Sequence, residues 1–89
     1  MHARIMDKAF TLRILTPEGT AFEGPVEAAF LPGSAGRFEV LPGHAPIVST
    51  LERGEIRWRA AGAESSIAIR SGALMLKDKT LTVCAEAES

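Results

Sequence analysis

The sequence is poor in cysteine and in aromatic side chains, with one cysteine, one tryptophan and no tyrosine among its 89 residues. The single cysteine, Cys84, excludes a disulfide bond within the chain and favours a reducing, cytoplasmic setting. It cannot complete a cysteine zinc site, and the two histidines, His2 and His44, lack the spacing of metal ligands. The scarcity of aromatic residues leaves little material for a deep ligand pocket. The composition therefore predicts no metal and no cofactor.

The chain also lacks an excess of charge of either sign and any long hydrophobic run. Its 10 basic and 11 acidic residues give a net charge of -1, whereas nucleic-acid-binding domains usually carry a basic excess. No apolar run approaches the ~20 residues that a membrane-spanning helix needs, and no segment keeps a sustained helical period. With 46% hydrophobic residues, the chain has the composition of one globular domain.

What the chain does have is a repeated alternation of apolar and polar residues, broken by turns that contain glycine or proline. The first alternating segment runs from Phe10 to Ile14 and is typical of a half-buried strand. Gly24-Pro25 and Ser71-Gly72 are among the turns predicted to interrupt strands. The pattern gives about nine short strands at close spacing and predicts an all-β fold, an antiparallel sandwich or barrel.

The inward-facing positions of these strands are the predicted core. Cys84 lies in a strand pattern and is predicted to be a small core residue. Trp58 is predicted to be a core or core-edge residue, with a hot spot at a partner surface as the alternative because Arg57 and Arg59 flank it. The other predicted core residues are Phe10, Leu12, Ile14, Phe22, Val26, Phe30, Val40, Ile56, Ile67, Ile69, Leu74, Leu81 and Val83.

The stretch from Leu31 to Pro46 is the most constrained part of the chain. It contains two Leu-Pro-Gly motifs, at 31–33 and 41–43, and a third proline, Pro46, follows His44-Ala45. Prolines fix φ and remove main-chain donors, while glycines permit the positive φ of tight turns. A loop constrained in this way presents its side chains in fixed positions, so its residues are candidates for partner contacts.

These motifs carry a resemblance to a known family. A Leu-Pro-Gly, a Gly-containing turn and a Leu-Pro-Gly-His-Ala-Pro loop, in this order, resemble the signature of the ATP synthase epsilon subunit, whose mitochondrial counterpart is called delta. The similarity extends to segments on both sides and covers residues 8–86. The flanking similar segments are 12–19, 22–27, 51–57 and 70–76.

The resemblance implies an all-β fold, an antiparallel two-sheet β-sandwich of about ten short strands, over residues 8–86, with an N-terminal segment at 1–7 and a C-terminal tail at 87–89. It implies a non-catalytic rotor subunit of the central stalk, which couples the gamma subunit to the c-ring during ion-driven ATP synthesis. Such a subunit is peripheral, at the cytoplasmic face of the bacterial inner membrane. Longer relatives follow the sandwich with a helical hairpin used for inhibition. Because this sequence stops just past the last predicted strand, we expect coupling without that inhibition.

The resemblance also implies two contact surfaces. The loop at His44 would face the gamma subunit, and the turn ending at Arg37 would meet the polar loops of the c-ring, with the α3β3 head contacted only indirectly. The family often carries an acidic residue in that turn, whereas Arg37 suggests acidic or carbonyl partners. The residues implied for the gamma interface are His44, Ala45, Pro46 and Thr50. Those implied for the c-ring interface are Ser34, Ala35, Gly36 and Arg37.

Other interpretations stay open on the residues alone. His44 is either a partner contact or a loop histidine that hydrogen-bonds its own turn, and Arg37 is either a contact or a solvated turn residue. A free-standing β-sandwich module that binds a small ligand, with the His44 loop at its mouth, is the alternative function. A small enzyme that uses His44 is a third.

No catalytic residue is predicted. The carboxylate pairs Glu23 with Glu27 and Glu52 with Glu55 are more typical of strands that face water than of acid–base catalysis. The sequence contains no nucleophile elbow and no phosphate-binding loop with its lysine. We therefore expect a protein that binds other subunits and performs no reaction itself.

Overall fold

The computed structural model describes residues 9–88, which form eight β-strands and no helix. The strands are β1 (Phe10–Thr16), β2 (Gly19–Val26), β3 (Ala28–Gly33), β4 (Gly36–Val40), β5 (Ile47–Leu51), β6 (Gly54–Ala60), β7 (Ala63–Lys77) and β8 (Thr80–Ala87). The predicted all-β sandwich is confirmed. None of these residues belongs to a helix long and apolar enough to cross a membrane. The predicted N-terminal segment 1–7, which includes His2, lies outside the described residues.

The strands form one continuous hydrogen-bonded network that is folded into two layers. The first layer has the order β2-β1-β8-β7-β5, and the second contains β7, β6, β3 and β4. β7 belongs to both layers, because residues 63–69 pair with β6 while residues 72–76 pair with β5. A second junction between the layers is made where Gly33 of β3 pairs with Leu51 of β5.

β1 lies between an antiparallel and a parallel neighbour. It pairs antiparallel with β2 and parallel with β8, which is the one parallel pair among the described strands. β2 is an edge strand, and its position explains why the break predicted at Gly24-Pro25 is wrong. Pro25 lies within β2 opposite Thr11, and an edge strand tolerates a residue that has no N–H to donate. The chain bends at Glu27 instead.

The reversal predicted at Ser71-Gly72 is also wrong, because β7 runs without interruption from Ala63 to Lys77. The pairing of β7 with β8 shifts between Ile69 and Ser71. Such an irregularity bends a strand, and here it lets β7 pass from one layer to the other. Two predicted strands are therefore one, which explains why the structure has eight strands where the pattern indicated about nine.

Replacing Gly72 with alanine is expected to lower the free energy of unfolding by about 1–3 kcal/mol, because β8 must move to admit the methyl group. A Cβ at Gly72 would lie 2.7 Å from the Cys84 carbonyl oxygen and 3.1 Å from the Ala85 Cβ. Urea unfolding measures the change. Ser71→Ala, at an exposed neighbour, is the control and should change stability by less than about 0.5 kcal/mol. Equal losses in the two variants would show that close packing at Gly72 is not the cause.

The core lies between the two layers and is apolar throughout. Among the described residues no polar or charged side chain is buried. Most of the predicted core residues are buried, whereas Phe22, Phe30 and Ile67 are half-buried. The buried residues that the pattern missed are Ala28, Ala29, Leu31, Leu51, Leu76 and Ala85.

Trp58 and Cys84 were both predicted to be core residues, and the structure confirms only the first. Trp58 is only 6% exposed and its ring centroid lies 4.9 Å from that of Phe22, so the core interpretation is confirmed. The core position predicted for Cys84 is wrong, because its side chain is exposed. Its neighbours Val83 and Ala85 are buried, and the alternation along β8 therefore turns Cys84 outward.

Candidate functional site

Residues 41–46 form a hydrogen-bonded loop between β4 and β5. The main-chain N–H of His44 donates to the Leu41 carbonyl oxygen at 3.0 Å and closes the turn at Pro42-Gly43. The His44 ring is exposed, and its Nδ1 lies 2.7 Å from the Ala45 carbonyl oxygen. Because a carbonyl oxygen only accepts, Nδ1 carries the proton in this contact, and Nε2 is left for a partner. His44 thus hydrogen-bonds its own loop and still presents a polar atom to the surface.

His44 also borders a small cleft next to Phe10, Leu41 and Leu76. The cleft has a volume of about 90 Å³, whereas sites for small molecules usually occupy about 300–1,000 Å³. It is therefore too small to act as the mouth of a ligand site at this loop.

Beside the loop, two large apolar side chains are exposed on neighbouring strands. Val48 is 78% exposed and Met75 is 49% exposed, and the two residues lie directly opposite each other on β5 and β7. With Pro46 they border a shallow groove of about 270 Å³. We call Pro46, Val48 and Met75 the apolar patch. Clustered apolar side chains on a surface are typical of sites that bind another protein.

The apolar patch is part of the outer face of the first layer, which carries few charges. One row of opposed residues crosses β5, β7, β8 and β1 as Val48, Met75, Thr82 and Arg13. The neighbouring row crosses the same strands as Thr50, Ala73, Cys84 and Leu15. The only charged residue of these two rows is Arg13, whose Nε lies 3.6 Å from Oε2 of Glu23 on β2. These two rows are therefore uncharged over most of their width, and Lys77 adds a positive charge at the side of the groove.

The turn from Ser34 to Arg37 lies at the opposite end of β4 and β5 from His44. Ser34 and Ala35 connect the paired residues Gly33 and Gly36. The four residues from Ser34 to Arg37 are exposed. Arg37 donates from Nη2 to the Glu55 carbonyl oxygen at 3.1 Å, and no ion pair among the described residues involves it. The turn therefore presents a positive charge that no carboxylate of residues 9–88 neutralises.

Thr50 lies with this turn and not with the His44 loop. The N–H of Ser34 donates to the Thr50 carbonyl oxygen at 3.0 Å, and Oγ1 of Thr50 lies 2.9 Å from Oγ of Ser34. The resemblance groups Thr50 with His44, Ala45 and Pro46, but β5 separates them at about 3.3 Å per residue. The structure thus brings together three of the four residues implied for the gamma interface. Thr50 still lies on the same outer face as Val48.

The carboxylates that were considered for acid–base chemistry lie on the surface. Glu23 pairs with Arg13, and Oε1 of Glu27 lies 3.5 Å from Nε of Arg59. Within residues 9–88 no group of three or more His, Cys, Asp or Glu side chains is placed to hold a metal ion. The two carboxylates Glu23 and Glu27 are therefore engaged in surface ion pairs.

Comparison with known proteins identifies relatives of this sandwich. Residues 9–88 match the family described as "ATP synthase, Delta/Epsilon chain, beta-sandwich domain". An ATP synthase epsilon chain of Desulfitobacterium hafniense is 37% identical over 81 residues, which cover 91% of this chain and 61% of the relative. An ATP synthase epsilon chain of Rhodopseudomonas palustris is 38% identical over 77 residues, with 86% and 57% covered. The chain spans about three fifths of the length of these relatives.

Solved structures share the same fold. A chain from the cryo-EM structure of the Euglena gracilis mitochondrial ATP synthase, OSCP/F1/c-ring, aligns with a TM-score of 0.82 at 20% identity and covers 88% of this chain and 51% of that one. A chain from the Tetrahymena thermophila mitochondrial ATP synthase central stalk/c-ring aligns with a TM-score of 0.73 at 10% identity, covering 85% and 62%. At these identities the likeness concerns the fold.

Proposed function

The chain belongs to the ATP synthase delta/epsilon family, and we propose that it is a non-catalytic subunit of the central stalk that couples the gamma subunit to the c-ring. In this role it performs no reaction but holds two parts of the rotor in a fixed relation while ion flow drives ATP synthesis. It lies at the cytoplasmic face of the bacterial inner membrane as a peripheral part of the complex.

The observation that carries this proposal is the apolar patch together with the His44 loop. The apolar patch adjoins this loop, since Pro46 belongs to both, Val48 follows on β5, and Met75 lies opposite Val48 on β7. Protein interfaces have an apolar centre that is depleted of charge, with polar residues at the rim. The apolar patch supplies such a centre, and Nε2 of His44 supplies a polar contact at its edge. We assign this surface to the gamma subunit.

The turn from Ser34 to Arg37 is the proposed contact with the c-ring. It projects from the end of the sandwich opposite the His44 loop, so one molecule can bind two partners at once. Arg37 has five N–H donors in a planar group, one of which is used by the Glu55 carbonyl oxygen. The remaining donors suit carboxylates or main-chain carbonyl oxygens on the partner's loops.

Reconstitution of the complete synthase with and without the chain tests the proposal. We expect ATP synthesis driven by an ion gradient to depend on the chain, because without it the gamma subunit and the c-ring are not held together. Removing the chain should not abolish ATP hydrolysis by the separated catalytic head, because the chain supplies no catalytic group. Gradient-driven synthesis at an undiminished rate without the chain would overturn the proposal.

Replacing His44 with alanine is expected to weaken gamma binding about fivefold, the usual effect of losing one hydrogen bond across an interface. The fold should keep its melting temperature, because the ring is exposed and bonds only within its own loop. Isothermal titration and thermal unfolding on the same variant measure the two quantities. His44→Gln keeps a polar group that can reach the partner and should bind more tightly than the alanine variant. Unchanged gamma affinity in His44→Ala would remove His44 from the interface.

A further inference from the structure

Thr50 and Ser34 are joined by two hydrogen bonds, one that belongs to the strand pairing and one that does not. The Ser34 N–H donates to the Thr50 carbonyl oxygen at 3.0 Å, as part of the pair that Gly33 and Leu51 form between β3 and β5. Thr50 Oγ1 also donates to Ser34 Oγ at 2.9 Å, a bond between side chains that the strand pairing does not require. The second bond depends on the Thr50 hydroxyl group alone.

The same segment of the chain also contacts the two sides of the turn. The Glu52 N–H donates to the Pro32 carbonyl oxygen at 3.0 Å, which is the other hydrogen bond of the Gly33–Leu51 pair, and the Arg37 guanidinium donates to the Glu55 carbonyl oxygen at 3.1 Å. Gly54 allows this close approach, since a Cβ there would lie 2.8 Å from the Pro32 Cβ. The segment from Thr50 to Glu55 therefore contacts the chain on both sides of the turn, at Pro32 and Ser34 before it and at Arg37 at its end.

We propose that Thr50 is a positioning residue for the turn from Ser34 to Arg37, and that its hydroxyl group fixes the orientation in which this turn meets its partner. The inference rests on the proposed function, because the partner is the polar loop region of the c-ring. It gives Thr50 a role different from a direct contact with the gamma subunit.

The reason a hydroxyl group matters here is that the turn itself is short and exposed. Its position relative to β5 depends on few bonds, and Gly36, at φ 131°, adds main-chain freedom. A turn that is already held in its binding orientation loses less conformational freedom when the partner arrives. The bond between Thr50 and Ser34 also strengthens once the partner excludes water from it.

The test uses gamma–chain complexes that carry Thr50→Val, Thr50→Ser or the control Thr20→Val. Valine keeps the shape of threonine and favours strands, so Thr50→Val should retain its melting temperature. Thr20 is exposed on the edge strand β2, and its replacement makes the same chemical change far from the turn. Each complex is titrated against the c-ring in lipid nanodiscs, and gamma affinity and melting temperature are measured for each chain alone.

We expect Thr50→Val to bind the c-ring about fivefold more weakly, as for one lost hydrogen bond, at unchanged gamma affinity and melting temperature. Thr50→Ser should restore the affinity, and Thr20→Val should bind like the wild type. Unchanged c-ring affinity in Thr50→Val overturns the inference but leaves the proposed function standing. A loss of gamma affinity instead makes Thr50 a direct gamma contact, and a drop in melting temperature assigns the loss to the fold; either result overturns the inference. Failure of the wild-type complex to bind the c-ring overturns both proposals.

Discussion

Replacing Met75 with glutamate is expected to weaken binding of the gamma subunit about a hundredfold, as when an apolar residue at the centre of an interface is lost. Met75 is 49% exposed and lies opposite Val48 in the apolar patch. A carboxylate placed there must give up its water when the partner binds, and Lys77, which lines the same groove, compensates for only part of that cost. The fold should be retained because the side chain already faces solvent. Isothermal titration against the gamma subunit measures the change.

Ser66→Glu is the matched control for this experiment. Ser66 is exposed on the same strand, β7, but in the second layer, where it lies opposite Arg57. The control introduces the same charge on the outer face of the other layer. Gamma affinity should stay within about twofold of the wild type there, as is usual for exposed sites outside an interface. A large loss in Ser66→Glu with little change in Met75→Glu would place the gamma contact on the second layer.

Replacing Leu31 with alanine is expected to lower the free energy of unfolding by about 2–5 kcal/mol, because it leaves a cavity among side chains that relax only in part. Leu31 is fully buried in β3 and belongs to the core between the two layers. Its main chain pairs with Phe38 of β4, so the residue is fixed in place. Urea or thermal unfolding of the variant measures the loss.

Leu41→Ala is the control for Leu31→Ala, because both residues begin a Leu-Pro-Gly motif. Leu41 is 46% exposed and lies in the loop before His44. Its truncation removes little buried surface and should cost less than about 1 kcal/mol. Similar losses in the two variants would mean that the two motifs are buried alike, contrary to the structure.

The same pair of motifs shows how far the sequence predicts the fold. Alternation placed most strands correctly, because which face of a strand is apolar is decided locally. Leu31 and Leu41 have the same local sequence, but Leu31 is buried in β3, which pairs with the distant strand β6, whereas Leu41 lies in an exposed loop. Ser71-Gly72 has the chemistry of a turn, but the close packing of β8 against Gly72 needs a glycine within a strand. These features depend on tertiary contacts and cannot be predicted from a short stretch of sequence.

In the candidate site, too, some features could be predicted from the sequence and others depend on contacts between strands. The order of the motifs located the His44 loop and the turn from Ser34 to Arg37, because rare residues at fixed spacing mark constrained loops. The apolar patch was not predicted, since Val48 belongs to a run of β-branched residues that does not reveal which face is covered. The patch becomes recognisable only when the pairing of Val48 on β5 with Met75 on β7 is known. Thr50 was grouped with His44 by the resemblance, although most of β5 separates the two residues.

The measurement that tests the central proposal most directly is an NMR titration of the isotopically labelled chain with the gamma subunit of the same synthase. We expect a one-to-one complex in which the signals of residues 43–48 and 73–77 shift or broaden, because the His44 loop and the apolar patch become buried. The signals of residues 55–68, in β6 and the start of β7, should change little. Binding that perturbs residues 55–68 and leaves 43–48 unaffected would contradict the proposed gamma surface. A folded chain that shows no binding at all would contradict the coupling role itself.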